Sequence, residues 1–277
     1  MYTISSGFMG FAEIDGVKVR CTDMSVDLEQ DALFYNHIYG LRDQIATGSG
    51  TKGEAAQGTI NIGKKFMRPG VKIMKGSISF PVVEQGLSSI FKNAKEARII
   101  PIKIIYDCEN GYTIRECIID NFSITCSGGE IISATISFTG RYYNTIGGNF
   151  IMSTDKLITW DKLNISIGGI SQPIQSFNLS VVNSCVLIYT SGDNTTNNLF
   201  PSDMRIGQQE VTGSISFFGE GSKIIPLSAS TDIKTITMSL PGVHETLTTI
   251  LKPIQIKGGI NYPVTTIAFI GVGKGWE

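Results

Sequence analysis

Lys75-Gly76-Ser77-Ile78-Ser79-Phe80 and Thr212-Gly213-Ser214-Ile215-Ser216-Phe217 share the run GSISF, and this repetition decides the reading of the whole chain. Each copy alternates small polar and large apolar residues, the period-two signature of a half-buried β-strand. Upstream, Asp23-Met24-Ser25-Val26-Asp27-Leu28 has a counterpart in Ser176-Phe177-Asn178-Leu179-Ser180-Val181. Downstream, Ile136-Ser137-Phe138-Thr139-Gly140 is answered by Ile267-Ala268-Phe269-Ile270-Gly271. A Gly-Gly pair, Gly128-Gly129 or Gly258-Gly259, precedes each of these last two. Three matches in one order indicate an internal duplication. Its boundary falls between Gly147 and Thr154, giving one domain over 1–148 and a second over 149–277.

Alternation predicts further strands at about Glu13–Cys21, Thr59–Ile62, Arg98–Asp107, Tyr112–Cys126 and Ile131–Arg141. The second half adds Lys162–Ile167, Ile174–Leu187, Gln208–Phe218, Thr235–Leu240, Ile250–Lys257 and Val264–Gly271. Val83–Ala97 differs, because Leu87, Ile90, Phe91 and Ala94 recur at helical spacing. It reads as one short amphipathic helix, while the corresponding stretch of the second half, Gly219–Thr231, reads as loop. Leu28 to Gly76 covers 48 positions and Val181 to Gly213 covers 32, so the first half carries about 16 extra residues around Leu41–Arg68. Long glycine-rich connections of that kind are commonly partner-binding loops.

Composition agrees with a β protein of many turns. Charged residues are 17% of the chain against a usual ~25%, and there are 31 Gly. So few charges point to a surface largely covered by partner subunits. A net charge of −1 carries no basic field of the kind nucleic-acid binders use. Five widely spaced cysteines with no CxxC read as reduced, packed thiols of a cytosolic product. The N-terminus, MYTISSGFMGF, has no signal-peptide pattern. The most apolar run, Ile99–Tyr106, is too short to span a bilayer, so no membrane insertion is expected.

Nothing in the chain assembles into an enzyme. Gly48-Ser-Gly50-Thr-Lys-Gly53 fits GxGxxG in letters only, since Gly58 cuts off the helix a dinucleotide site requires. Gly271-Val-Gly273-Lys274-Gly275 lacks the Ser or Thr that follows the lysine of a phosphate loop. His37 and His244 occupy different places in the repeat and have no ligand-spaced neighbours. The nine-residue steps between Cys108, Cys117 and Cys126 match no metal motif, and odd steps along a strand should alternate faces. No catalytic set, metal or cofactor is expected.

The strand pair split by a long polar loop, the GSISF strand followed by a short helix, and the Gly-Gly hairpin before an ISFTG-type strand form a recognisable order. It resembles the tail tube protein family of bacteriophages, similar in fold to the tubes of contractile injection systems. Tyr112–Arg141 and Lys234–Gly271 carry the resemblance most clearly, and it extends over nearly the whole chain, once per half. The absent second helix is the departure. The resemblance implies a mainly β fold of two tandem β-sandwich or half-barrel domains. It also implies trimeric, pseudo-hexameric rings that stack into a virion tail tube, are assembled in the host cytoplasm, and enclose a channel for DNA ejection. The partners implied are further copies of the chain, other tail proteins (tape measure, terminator, baseplate, sheath) and DNA in transit.

On that reading the polar strand faces line the channel: Asp23, Ser25, Asp27, Ser77 and Ser79 in the first half, with Ser176, Asn178, Ser180, Ser214 and Ser216 in the second. In the quoted strands these positions are small or acidic, which avoids holding phosphates. Ring stacking falls to the loop of Arg42, Asp43, Gly48, Lys52, Glu54, Lys64 and Lys65. Four strands per half would close a ring of about 24 strands, some 50 Å across with a bore near 40 Å. The alternatives are a baseplate hub or tube-initiating protein that stops at one ring, and a monomeric β-sandwich binding module presenting Trp160 or Trp276.

Overall fold

The structure is a computed structural model describing residues 10–35, 66–84, 86–106, 110–147, 156–171, 173–189, 200–218, 233–252, 255–257 and 264–276. It is mainly β. In chain order the strands are β1 (Phe11–Ile14), β2 (Val17–Arg20), β3 (Asp23–Tyr35), β4 (Phe66–Pro81), β5 (Ile100–Ile105), β6 (Gly111–Ser127) and β7 (Ser133–Ile146). They continue with β8 (Asn164–Ile167), β9 (Ile170–Ser171), β10 (Ile174–Ile188), β11 (Asp203–Phe218), β12 (Ile233–Leu240), β13 (Val243–Leu251), β14 (Gln255–Lys257) and β15 (Val264–Trp276). Helix α1 (Leu87–Glu96) lies between β4 and β5, inside the predicted Val83–Ala97. It buries Leu87, Ile90, Phe91 and Ala94, and Ala97 ends it in the left-handed conformation.

All fifteen described strands belong to one antiparallel sheet, and its order is run through twice. The first half reads β3-β4-β7-β6-β5-β1-β2 and the second β10-β11-β15-β13-β12-β8-β9. Register repeats as well. Val26 faces Gly76 and Gly76 faces Phe138, as Leu179 faces Gly213 and Gly213 faces Phe269. Both first hairpins break register at the same place, between Gln30 and Ala32 and between Asn183 and Cys185. Each half also opens with a two-residue turn at positive φ, Asp15-Gly16 and Gly168-Gly169. Two consecutive left-handed residues match the twist of a tight hairpin.

Three predicted elements are corrected. Glu13–Cys21 is two strands, not one, because the Asp15-Gly16 turn breaks it. The strand expected only from Ile250 begins at Val243, where the Pro241-Gly242 turn returns the chain along β12; β14 follows separately. Cys117 and Cys126 share the buried face despite their odd spacing, since a bulge between Ile119 and Asn121 adds one residue to β6. The strand expected at Thr59–Ile62, the Gly219–Thr231 loop and Cys108 lie outside the described residues.

One apolar core runs through both halves: Ile78, Phe80, Phe91, Phe122, Ile136 and Phe138 belong to it together with Phe177, Leu179, Ile215, Ile236, Ile267 and Phe269. No helix of the described residues is long and apolar enough to cross a membrane.

Candidate functional site

The side of the sheet opposite the core is a continuous polar face, and register defines it. One row runs Asp23, Ser79, Thr135, Ser123, Ser180, Thr212 across β3, β4, β7, β6, β10 and β11. A second runs Ser133, Thr125, Asn178, Ser214, Ala268, and a third Ser127, Ser176, Ser216, Thr266. Ser25, Ser77 and Ser137 form the start of another. None of the ten predicted channel residues is buried, and all ten lie on this one face. Hydroxyl pairs tie neighbouring strands together: Ser79–Thr135 at 2.9 Å, its repeat equivalent Ser216–Thr266 at 2.9 Å, and Thr125–Ser133 at 2.7 Å. Ser180 donates to Asn121 Oδ1 at 2.9 Å.

Sequence reading missed the contributions of β6, β7 and β15, although Asn121, Ser123, Thr125, Ser133, Thr135 and Thr266 sit in equally plain alternation. It also missed a cation. Lys75 immediately precedes GSISF, is exposed, and faces Asp27 in register, so the face is not free of basic residues. The proposed stacking residues Arg42, Asp43, Gly48, Lys52, Glu54, Lys64 and Lys65 lie outside the described residues.

Within the chain the halves meet at β6·β10, where Asn121–Ser127 pairs with Ser176–Val182 over seven residue pairs. Helix α1 braces this joint from the core side. Buried Asn183 of β10 donates to the carbonyls of Ala94 and Ile119, both at 2.8 Å. Gln209 of β11 donates to Lys95 O at 2.9 Å and to Asn183 Oδ1 at 2.7 Å. Lys95 also pairs with Glu245 of β13 at 2.6 Å. Carbonyls left over at a helix end are therefore satisfied by the other half of the chain.

Asp120 occupies the β6 bulge beside the joint. Thr139 donates to its Oδ2 at 2.6 Å, while Oδ1 has no hydrogen-bond partner. Burial pushes its carboxyl up to about 6, against the smaller opposing pulls of the Thr139 hydroxyl and Lys75.

Repeat equivalents of the joint strands stand at edges of the described sheet, each with a neighbour on one side only. Among the described strands β3 pairs only with β4, and β14 only with β15. Register makes β3 equivalent to β10, and β14 equivalent to the end of β6, since Ser123 faces Thr135 as Gln255 faces Thr266. Burial exposes the difference. Val181, beside the internal joint, is 0% exposed; its repeat equivalent Leu28 is 44% exposed. The β3 and β14 edges repeat the register of the joint with no described strand beside them.

Chemistry is sparse elsewhere. No three His, Cys, Asp or Glu side chains cluster to hold a metal among the described residues. Desolvation raises the thiol of Cys21 to about 12 and those of Cys126 and Cys185 to about 11, so none is a thiolate at neutral pH. Gly271–Gly275 is part of β15 and forms no phosphate-binding turn. His244 is an exposed strand residue beside Ser239, and His37 lies outside the described residues. Trp160 borders an open depression lined by Ser127, Gly128, Pro173, Ile174, Gln175 and Ser176, with no second aromatic in its wall. No family model matches the sequence, and no curated protein matches it.

Proposed function

We propose that the chain is a structural subunit of a phage tail tube, three copies closing a pseudo-hexameric ring and the rings stacking around a DNA channel. One observation carries this reading: the strand register of the β6·β10 joint recurs on the β14 and β3 edges of the same chain, and on β3 Leu28 is exposed where its equivalent Val181 is buried. A joint that the chain makes with itself can be made again with a second copy. Because its two sides lie on different strands, the contact is head-to-tail, and such contacts generate rings when the rotation closes. Closure would also remove the open strand edges, which otherwise invite aggregation.

Register supports a closed barrel of suitable width. The row that leaves β3 at Asp23 crosses β4, β7 and β6 and arrives on β10 at Ser180, the repeat equivalent of Asp27. Four strands thus advance the row by four residues. Eight such strands per chain, in three chains, give about 24 strands with a shear equal to their number. With ~3.3 Å per residue and ~4.8 Å between strands, the tilt is about 35° and the backbone diameter about 45 Å. Side chains reduce the bore to about 35 Å, narrower than the 40 Å expected from strand number alone and still open to a duplex. The lining would be mostly Ser, Thr and Asn, which offers a passing duplex few cations to bind.

Electron microscopy and mass photometry of the purified chain test the reading. Trimers that lengthen into tubes are expected. Rings that never stack would instead favour the hub, and a monomer at every concentration would overturn both.

A further inference from the structure

The polar rows do not stay polar to the far side of the sheet. The row that reaches Thr212 continues across β15, β13 and β12 as Ile270, Ile250 and Ile233. Ile250 is 45% exposed and Ile233 58%, so an apolar strip stands open on a face otherwise built largely of Ser and Thr. In the first half the equivalent positions are closed. Thr139 faces Ile118 there as Ile270 faces Ile250, and both first-half residues are buried. Two residues beyond Thr139 on the same strand, Arg141 donates to Pro201 O at 2.9 Å and to Ser202 O, at the base of the β10–β11 hairpin. Phe200 packs against Tyr142 and Tyr143, with ring centroids 5.6 and 6.1 Å away. The hairpin of the second half is thus held by β7 of the first, past the end of the β6·β10 joint.

The β3–β4 hairpin is the repeat of that one, and its backbone copies it. Asp27 to Tyr35 and Ser180 to Ile188 are both steps of eight residues, ending on the pairs Tyr35 with Phe66 and Ile188 with Asp203. In the ring, β3 of one copy lies against β14 of the next. There β13 and β14 together repeat the course of β6: Leu251 faces Phe269 as Ile119 faces Phe138, and Gln255 faces Thr266 as Ser123 faces Thr135. That register carries the neighbouring hairpin toward β13 and β15, as the internal joint carries the β10–β11 hairpin toward β7. We propose, on the basis of the ring reading above, that Ile250 and Ile270 form the platform on which the β3–β4 hairpin of a second copy lies. Open apolar surface of this kind marks a contact still to be made. The chemistry of the hold differs from the internal one. Val272, half-buried, stands two residues beyond Ile270 where Arg141 stands beyond Thr139, so the platform is apolar. Ile233 lies at its rim. Lys234 faces Thr249 as Ile100 faces Cys117, which makes Ile99 the equivalent of Ile233, and Ile99 is 47% exposed even in the first half.

The test measures self-association of the full chain by mass photometry and sedimentation, with circular dichroism confirming that each variant is folded. Amide exchange is followed before and after association. Association of wild type should slow exchange over residues 29–35 and 66–72 of the hairpin. Ile250→Asp should associate about tenfold more weakly or worse, the scale set by losing one buried isoleucine from a contact. The complexes it still forms should show faster exchange in that hairpin than wild type does. Ile233→Asp, the same change at the rim, should associate nearly as well as wild type. If wild type associates but its hairpin gains no protection, or Ile250→Asp associates equally well, the platform is overturned and the ring stands. Equal losses from the two variants would also overturn the hairpin as occupant, since a broader partner would then cover the whole strip. If wild type fails to associate under any condition, the ring reading falls and the platform with it.

Discussion

The two halves of the chain share a strand order, a bulge position and a glycine beneath an aromatic ring, yet only the first has a described α-helix. What they share belongs to the polar-face sheet, and what differs lies behind it. The sheet geometry is therefore set twice, by separate sequence, whereas the brace on the joint is set once. The glycines test the shared part most severely. A Cβ on Gly76 would lie 2.4 Å from the Phe138 ring and 2.7 Å from the Ser25 carbonyl; on Gly213 it would lie 2.2 Å from Phe269 and 2.5 Å from the Asn178 carbonyl. Rings can swing aside, but the ladder carbonyls cannot without breaking register. Gly76→Ala and Gly213→Ala should each cost about 3 kcal/mol, measured by denaturant unfolding. Equal costs would mean that the halves are energetically as well as geometrically equivalent, and a mild effect in one alone would break the comparison.

The unshared brace gives a smaller effect. Asn183 satisfies Ala94 and Ile119 and accepts from Gln209, all within a buried site. Removing its amide takes a donor from each carbonyl, Ala94 O keeping only the longer bond from Ala97 N–H at 3.3 Å, and takes the Oδ1 acceptor from Gln209. Asn183→Ala should cost about 2 kcal/mol, the usual range for orphaned buried groups. Amide exchange should then accelerate in α1 and along β6·β10 more than in β13·β15. Uniform acceleration would show that the helix does not specifically support the joint. The repeat equivalents of Asn183 and Gln209 are Gln30 and Lys72, so the outer edge does not carry the same pair of residues.

Much of the fold was legible because period-two alternation is strong wherever one face is buried, and GSISF, with its flanking strands, marks the copies. The ten residues expected on the polar strand faces fall on one face for the same reason. What was hidden depends on pairing. The reach of β13 is carried by His244, Glu245, Thr246 and Thr248, which do not look like a strand until β12 and β15 flank them. The bulge at Asp120 shifts the phase of β6 without any glycine or proline to announce it. Lys75 joins the polar face only when β4 is aligned to β3. The open β3 edge could not be read at all, because exposure of Leu28 has meaning only against the buried Val181.

Asp120 yields the smallest effect and the sharpest contrast between the halves. Its repeat equivalent is Lys252, an exposed residue, and the equivalent of its donor Thr139 is Ile270, so only the first half carries a buried acid here. Desolvation raises its folded-state value to about 6 from an ordinary 3.8. A carboxyl whose value is raised by folding stabilises the folded protein fully below about pH 4, and that contribution is lost as pH climbs through about 6. Asp120→Asn removes the charge and keeps an oxygen for the Thr139 hydroxyl. The variant should melt about 2–4 °C above wild type at pH 7.5, and the two should converge at pH 4. Scanning calorimetry across that range reads the difference directly, which cancels the other carboxylates common to both proteins. A gap of the same size at both ends would assign the effect to packing at the bulge. A gap that is absent at pH 4, grows between about pH 4 and 6 and is level above that would assign it to the charge enclosed where the two halves join.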